Sequence, residues 1–107
     1  MRWSRGADLV LRALDTERAR YVTELAVVTG LNPTTVLRRV QEMTAEGFAV
    51  SWWEAPEEAS FGRRVGLRRD RARRRYYQLT AAGAVLRREW AGLAEADAAR
   101  RRGRYRR

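Results

Sequence analysis

The 107-residue sequence contains neither histidine nor cysteine. Without them the chain lacks the Ser-His and Cys-His catalytic arrangements, the usual zinc sites and any disulfide framework. The carboxylates are scattered along the chain, and the segment Gly62–Gly66 lacks the Gly-Lys-Ser/Thr ending of a phosphate-binding loop. The sequence therefore predicts no enzyme, no metal site and no cofactor.

Long apolar runs are also missing. No run approaches the length of about 18 residues that marks a membrane-spanning helix. The N-terminal residues also lack the succession of charged, apolar and small residues that marks an export signal. We expect one cytoplasmic domain that does not enter a membrane and that, if it binds DNA, is associated with the nucleoid.

Lysine is the third absence, so all 23 basic residues are arginine. Codon bias is the simpler explanation, and selection for phosphate and guanine contacts is the other. The distribution of charge is more informative. Residues 1–60 hold seven arginines and nine acidic residues, whereas residues 61–107 hold sixteen arginines and four acidic residues. The net charge of +10 therefore comes from the second half, which attracts polyanions such as nucleic acids.

Three helices are predicted in the first half of the chain. The segment Ala7–Leu14 is apolar and forms the first. A short strand over Arg20–Thr23 precedes the second, which Thr23 caps and which runs to Thr29. Gly30 ends that helix and begins a tight turn.

The third helix is predicted over residues 33–46. Asn32 is a favoured N-cap, Pro33 suits the first helical position, and Gly47 supplies the stop. Its core stripe consists of four apolar residues at helical spacing: Val36, Leu37, Val40 and Met43.

The opposite side of this helix has the composition of a recognition surface. At about 100° per residue, Arg38 lies nearly opposite Val36, with Thr34 and Thr35 on the same outward side. Arg39 lies nearer the edge of the core. Arg38 can reach guanine O6 and N7, while small hydroxyl side chains permit close approach to a groove. We predict that Thr34, Thr35, Arg38 and Arg39 contact DNA. The alternative is a solvated Arg38 paired with Glu42.

A hairpin is predicted over Ala49–Glu54 and Arg73–Leu79, joined by a loop at about residues 55–72. Alternation in the first strand predicts Val50 and Trp52 inward, with Ser51 and Trp53 outward. In the second, Tyr77 and Leu79 share a face.

Eight arginines stand against one acidic residue between Phe61 and Arg75. In a loop beside a recognition helix, such a block is typical of a wing that contacts phosphates or the minor groove. The wing residues predicted to bind DNA are Arg63, Arg64, Arg68, Arg69, Arg71, Arg73 and Arg74. The aromatic pairs flanking the block are expected to pack across strands rather than to stack on unpaired bases.

A final helix is predicted from Thr80, its cap, to about Ala99. Leu86, Trp90 and Leu93 form a narrow apolar stripe, which can pack on its own domain or equally on a second copy. We predict that it mediates dimerisation. Residues 100–107, with six arginines, are predicted to form a disordered basic tail.

The order of elements predicts an α+β, mainly helical fold: a winged helix-turn-helix at residues 1–79, with a two-stranded wing, followed by a C-terminal dimerisation helix at 80–99.

The segment R-x-Y-x-L-T-x-x-G, from Arg75 to Gly83, and the helix-turn-helix residues around Gly30 and Thr34 resemble PadR-type transcriptional regulators. The helix-turn-helix residues would also suit MarR-like repressors. The resemblance covers about Arg20–Trp90.

The resemblance implies dimeric, sequence-specific binding to double-stranded DNA. Some PadR-type members also hold a planar apolar ligand at the dimer interface. Only Trp90 is placed for that role here, where packing explains it, so no small-molecule effector is supported. The wing loop is longer and more basic than the family pattern, and the last helix is shorter.

The leading hypothesis is a DNA-binding transcriptional regulator, with repression as the expected direction. The first alternative is a sequence-indifferent architectural DNA-binding or RNA-associated protein that binds through its arginine-rich segments. A second alternative is a winged helix whose basic loop docks an acidic protein.

Overall fold

The computed structural model describes residues 1–55 and 74–104. The described elements are α1 (Arg5–Ala13), β1 (Arg20–Tyr21), α2 (Val22–Thr29), α3 (Pro33–Ala45), β2 (Ala49–Trp53), β3 (Arg75–Leu79) and α4 (Ala81–Arg104). This order confirms the predicted α+β winged-helix class. The predicted wing loop beyond residue 55 lies outside the described residues, and so do Arg63, Arg64, Arg68, Arg69, Arg71 and Arg73.

The described strands form an antiparallel sheet in the order β1-β3-β2. The wing hairpin thus carries a third strand, because Arg20 and Tyr21 pair with Tyr77 and Tyr76. The predicted short strand at the start of the helix-turn-helix is therefore confirmed over two residues. It ties the entry of α2 directly to the wing.

The predicted inward face of β2 is wrong. Val50 and Trp52 are 49% and 42% exposed, whereas Ala49 is buried. Ala49 pairs with Leu79, and Ser51 pairs with Tyr77. Because residues paired across strands lie on the same side of the sheet, the two large β3 side chains leave room only for small β2 residues beside them.

The core joins α1, α2 and α3 to the sheet and to the first half of α4. Its largest fully buried side chains are Val10, Leu11, Leu14, Leu25, Val36, Val40 and Met43. The predicted stripe of α3 is confirmed except at Leu37, which is 39% exposed. At about 100° per residue it lies a quarter-turn from Val36, on the flank of α3.

Local capping explains where the helices begin. Ser4 Oγ accepts a hydrogen bond from Ala7 N at 3.1 Å, so α1 starts two residues before the prediction. Thr23 is not the cap of α2: this helix follows directly on Tyr21, which makes no side-chain cap bond. The start of α2 is set instead by β1, because the pairing of β1 with β3 fixes the backbone up to Tyr21.

The predicted caps around α3 are confirmed. Asn32 Oδ1 accepts from Thr34 N at 2.8 Å, and Pro33 occupies the first helical position. Gly30 and Gly47 have φ of 75° and 84°. Only glycine takes this left-handed conformation without steric cost. Helix α3 is therefore delimited at both ends by residues visible in the sequence.

Thr80 joins three segments at the start of α4. Its Oγ1 donates to the Gly47 carbonyl at 2.7 Å and accepts from Gly83 N at 3.0 Å. Its backbone N–H donates to the Phe48 carbonyl at 3.0 Å. The predicted cap is thus confirmed, and the same hydroxyl also ties α4 to the turn that ends α3.

Replacing Thr80 with alanine is expected to lower the free energy of unfolding by about 1 to 2 kcal/mol, because a cap and a second hydrogen bond are lost. Thr80→Ser keeps the hydroxyl and is expected to lose much less. Urea denaturation of both variants measures this. Equal losses would show that the methyl group rather than the hydroxyl matters.

Helix α4 continues to Arg104, past the predicted end at Ala99. The prediction of a disordered tail is therefore wrong for residues 100–104, while residues 105–107 lie outside the described residues. Alanine and arginine both favour helix, and Arg101 pairs with Asp97 one turn earlier at 3.3 Å. Within the described ranges no helix is long and apolar enough to cross a membrane.

Candidate nucleic-acid interface

Helix α3 packs on α1, α2 and β2 through one face and leaves the other exposed. The exposed face comprises Thr34, Leu37, Arg38, Gln41 and Ala45, while Thr35 and Arg39 are half-buried. Two predicted contact residues, Thr34 and Arg38, thus lie outward. Thr35 and Arg39 lie at the flanks of this surface.

Arg38 is unpaired among the residues that the structure describes. Glu42 pairs instead with Arg39, whose Nη1 lies 3.4 Å from Glu42 Oε1. The alternative in which Arg38 is neutralised by Glu42 is therefore not realised. The Arg38 guanidinium keeps its hydrogen-bond donors available, which a base-reading arginine needs.

Gln41 was missed by the sequence prediction. It is exposed and lies one turn after Arg38, on the side of α3 that faces the sheet. At about 100° per residue it stands about 60° from Arg38, so the same calculation that placed Arg38 would have found it. A glutamine can bond adenine N6 and N7 together.

Arg74 is the one predicted wing contact within the described ranges. It is exposed, and its guanidinium carbon lies 4.5 Å from the centre of the Tyr21 ring. Its backbone is fixed by Glu54, whose N–H donates to the Arg74 carbonyl at 2.7 Å. The side chain therefore projects from a rigid strand end, beside β1 and the start of α2.

Arg75, also missed as a candidate, points to the other side of the sheet. Its Nε and Nη2 donate to Ser51 Oγ at 3.2 and 2.9 Å, and its guanidinium carbon lies 4.9 Å from the Trp53 ring centre. Ser51 and Trp53 are thus the neighbours that orient it. The register of β2 and β3 creates this cluster, and no spacing in the sequence reveals it.

A cavity of about 700 Å³ lies between α3 and the sheet. Leu37 and Gln41 line it from the helix, while Trp53, Arg75 and Tyr77 line it from the strands. It thus separates the two elements that the sequence predicted to contact DNA.

The aromatic residues on the other side of the sheet pack on one another. Trp52 and Tyr76 are paired across strands with ring centres 6.4 Å apart, and Tyr21 meets Tyr76 edge-on at 5.9 Å. The prediction of cross-strand packing is confirmed for these rings.

The predicted dimerisation stripe is divided between two environments. Trp90 is only 4% exposed and belongs to the core of its own chain, and Leu86 packs partly against that core. Leu93 is 48% exposed. Trp90 therefore packs within its own chain rather than on an exposed surface, and dimerisation through this helix stays a prediction.

No protein-family model matches the sequence, and no curated protein has significant sequence similarity to it. Solved structures do match. A PadR family transcription regulator from hypervirulent Clostridium difficile R20291 superposes with a TM-score of 0.59 at 20% identity, covering 84% of this chain and 92% of that one. The smu.1704 protein of Streptococcus mutans UA159 superposes with a TM-score of 0.58 at 16% identity, covering 95% and 91%.

BpsR of Bordetella bronchiseptica, whose DNA binding is regulated by 6-hydroxynicotinic acid, superposes with a TM-score of 0.64 at 20% identity. The match covers 88% of this chain but only 61% of BpsR. At these identities the similarity shows the fold, and the predicted winged-helix fold is confirmed. Two of these neighbours are described as a DNA-binding protein and a transcription regulator.

Proposed function

We propose that the chain is a transcription regulator that binds double-stranded DNA sequence-specifically, with α3 in the major groove and the arginine-rich wing on the adjacent backbone or minor groove. The observation that carries this proposal is Arg38 on the exposed face of α3, which has no ion-pair partner among residues 1–55 and 74–104. Thr34 beside it is small enough for the helix to approach base edges. The DNA-binding and regulatory descriptions of the structural neighbours support the same function.

The face of α3 and the wing are proposed to contribute differently to DNA binding, because their side chains differ in chemistry. Arg38, flanked by Thr34 and Thr35, supplies sequence choice, whereas the wing arginines and Arg39 supply affinity through phosphates. Binding as a homodimer would place two α3 helices on two half-sites. The half-exposed Leu93 is the remaining candidate of the predicted stripe for that contact. Repression is the proposed direction of regulation.

The second candidate function is sequence-indifferent binding of DNA or RNA. The charge distribution favours it, because sixteen arginines lie in residues 61–107. Selection of bound duplexes from a random pool at physiological salt separates the two functions. Enrichment of one motif supports the proposed regulator, and a two-fold symmetric motif supports the dimer as well. No enrichment would favour the second candidate.

The Arg74→Ala variant tests the proposed phosphate footprint. Loss of one phosphate contact is expected to reduce the slope of log K against log salt concentration by about 0.9 and to weaken all duplexes alike. Fluorescence anisotropy over a salt series measures the slope. Arg88→Ala, on exposed α4, is the control. An unchanged slope would remove Arg74 from the footprint.

A further inference from the structure

The exposed stripe of α3 has small side chains at its two ends and longer ones between them. It consists of Thr34, Leu37, Arg38, Gln41 and Ala45. Arg38 is its charged member, and the other four are uncharged. Because Thr34 and Ala45 are short, they allow both ends of the helix to lie close to the floor of a major groove. The three longer side chains are therefore the ones that reach base edges.

Leu37 and Gln41 leave apolar surface and hydrogen-bonding groups unused on this stripe. Leu37 is 39% exposed although it is a large aliphatic residue. The Gln41 amide makes no hydrogen bond within residues 1–55 and 74–104. Both residues also line the cavity between α3 and the sheet, so solvent reaches both side chains. Their surface and their polar groups are therefore available to a molecule that lies against α3.

The spacing of Arg38 and Gln41 is close to that of neighbouring base pairs. The two residues are three positions apart, which corresponds to about 4.5 Å along a helix axis and a difference in direction of about 60°. Successive base pairs are about 3.4 Å apart along the DNA axis. A helix that places Arg38 at one base pair therefore brings Gln41 to an adjacent one.

Each of the three side chains has one base whose major-groove edge suits it best. The Arg38 guanidinium can donate to O6 and N7 of guanine, whereas the Gln41 amide can accept from N6 and donate to N7 of adenine. Leu37 has no polar group, and the apolar group that the major groove offers is the C5 methyl of thymine. At about 100° per residue Leu37 and Gln41 are about 40° apart, on the same flank of the stripe.

We propose that Gln41 and Leu37 are specificity-determining residues of the DNA-binding site. Gln41 reads an adenine in the base pair adjacent to the guanine that Arg38 reads, and Leu37 covers the methyl group of a nearby thymine. This assignment rests on the proposed function, to which it adds the composition of the recognised sequence. The exposed leucine and the amide without a partner both acquire a role in it.

Single-atom changes in the DNA test the two assignments. The probe is the duplex that the parent chain selects from a random pool, modified at one position at a time with 7-deazaadenine, which lacks N7, or deoxyuridine, which lacks the C5 methyl. One 7-deazaadenine is expected to weaken binding of the parent chain about fivefold, because a hydrogen bond is lost. One deoxyuridine is expected to weaken it about fourfold, because a buried methyl group is lost.

Two variants on the same helix serve as controls for each other. Gln41→Ala is expected to bind the natural and the 7-deazaadenine duplex equally and to keep the response to deoxyuridine. Leu37→Ala is expected to lose the response to deoxyuridine and to keep the response to 7-deazaadenine. Both positions are exposed, so the melting temperature is expected to stay near that of the parent chain. A variant that keeps the response it should lose would overturn the assignment of that residue.

A gain of new specificity tests Gln41 independently of any loss. Gln41→Arg is expected to change the preferred base at the same position from adenine to guanine, by about fivefold or more. Arg88→Ala, on exposed α4, is expected to respond to every modified duplex as the parent chain does. An unchanged base preference in Gln41→Arg would contradict the assignment.

The same experiments separate failure of these assignments from failure of the proposed function. If a motif is enriched but no modified adenine or thymine in it weakens binding, Gln41 and Leu37 do not read bases, and sequence-specific binding stands. If no motif is enriched, the proposed function and these assignments are both overturned.

Discussion

Replacing Arg38 with alanine is expected to weaken binding to the preferred duplex about 5- to 150-fold, corresponding to about 1 to 3 kcal/mol. On random duplex the loss is expected to be much smaller. The physical reason is the position of the side chain: Arg38 is exposed while Val36 is buried, and Glu42, one turn further along α3, pairs with Arg39. Within the part of the chain that the structure describes, Arg38 therefore has no ion pair that a base edge would first have to break.

Fluorescence anisotropy on the two duplexes, at one salt concentration, measures this difference. The matched control is Arg88→Ala, which removes the same charge from an exposed position on α4. It is expected to reduce binding slightly and equally on both duplexes. If Arg38→Ala weakens binding to both duplexes equally, Arg38 contacts phosphates rather than base edges. The residue that reads the sequence then lies elsewhere on α3, and Gln41 is the next one to test.

Replacing Gly83 with alanine is expected to destabilise the fold by about 2 to 3 kcal/mol. A Cβ at this position would overlap the Phe48 carbonyl oxygen and lie 2.5 Å from Leu79 Cδ1. Alanine in a helix is favoured over glycine by up to about 1 kcal/mol, but overlap with a hydrogen-bonded backbone carbonyl costs more, because the strand or helix must shift. The melting temperature is expected to fall by roughly 10 °C or more.

Gly92 in the same helix provides the control, because a Cβ there meets no atom within 4 Å. Gly92→Ala is expected to be neutral or to raise stability by up to about 1 kcal/mol. Thermal unfolding of both variants under identical conditions is the measurement. A Gly83→Ala chain as stable as Gly92→Ala would show that α4 does not approach the turn after α3 this closely.

This contact gives the R-x-Y-x-L-T-x-x-G segment a structural meaning. Arg75 is held on Ser51, Tyr77 and Leu79 are buried, Thr80 bonds the Gly47 carbonyl, and Gly83 permits close approach to Phe48. The segment therefore joins the hairpin of β2 and β3 to the end of α3. The junction is thus held by contacts within the fold itself.

The parts of the fold that were predictable from sequence have strong local signals. Asn32 and Pro33 define the start of α3, and Gly47 defines its end through a left-handed φ. The outward position of Arg38 followed from helical periodicity alone. These features depend on a few neighbouring residues, so they can be predicted from the sequence without knowledge of the tertiary packing.

The errors lie where tertiary packing decides. Alternation in β2 gave two possible faces, and the bulk of Tyr77 and Leu79 on β3 selected the one with Ala49 and Ser51 inward. The stripe around Trp90 has the same spacing whether it packs on its own core or on a partner. The cluster of Arg75 and Trp53 exists only because two distant strands pair in one register.

The most direct measurement for the central claim is the affinity ratio between the selected duplex and a scrambled duplex of equal length and composition, at physiological salt. Sequence-specific binding through α3 predicts a ratio of about 10³ or more, and Arg38→Ala should reduce it. A ratio near one, with strong salt dependence on both duplexes, would contradict the claim and identify the chain as a sequence-indifferent binder.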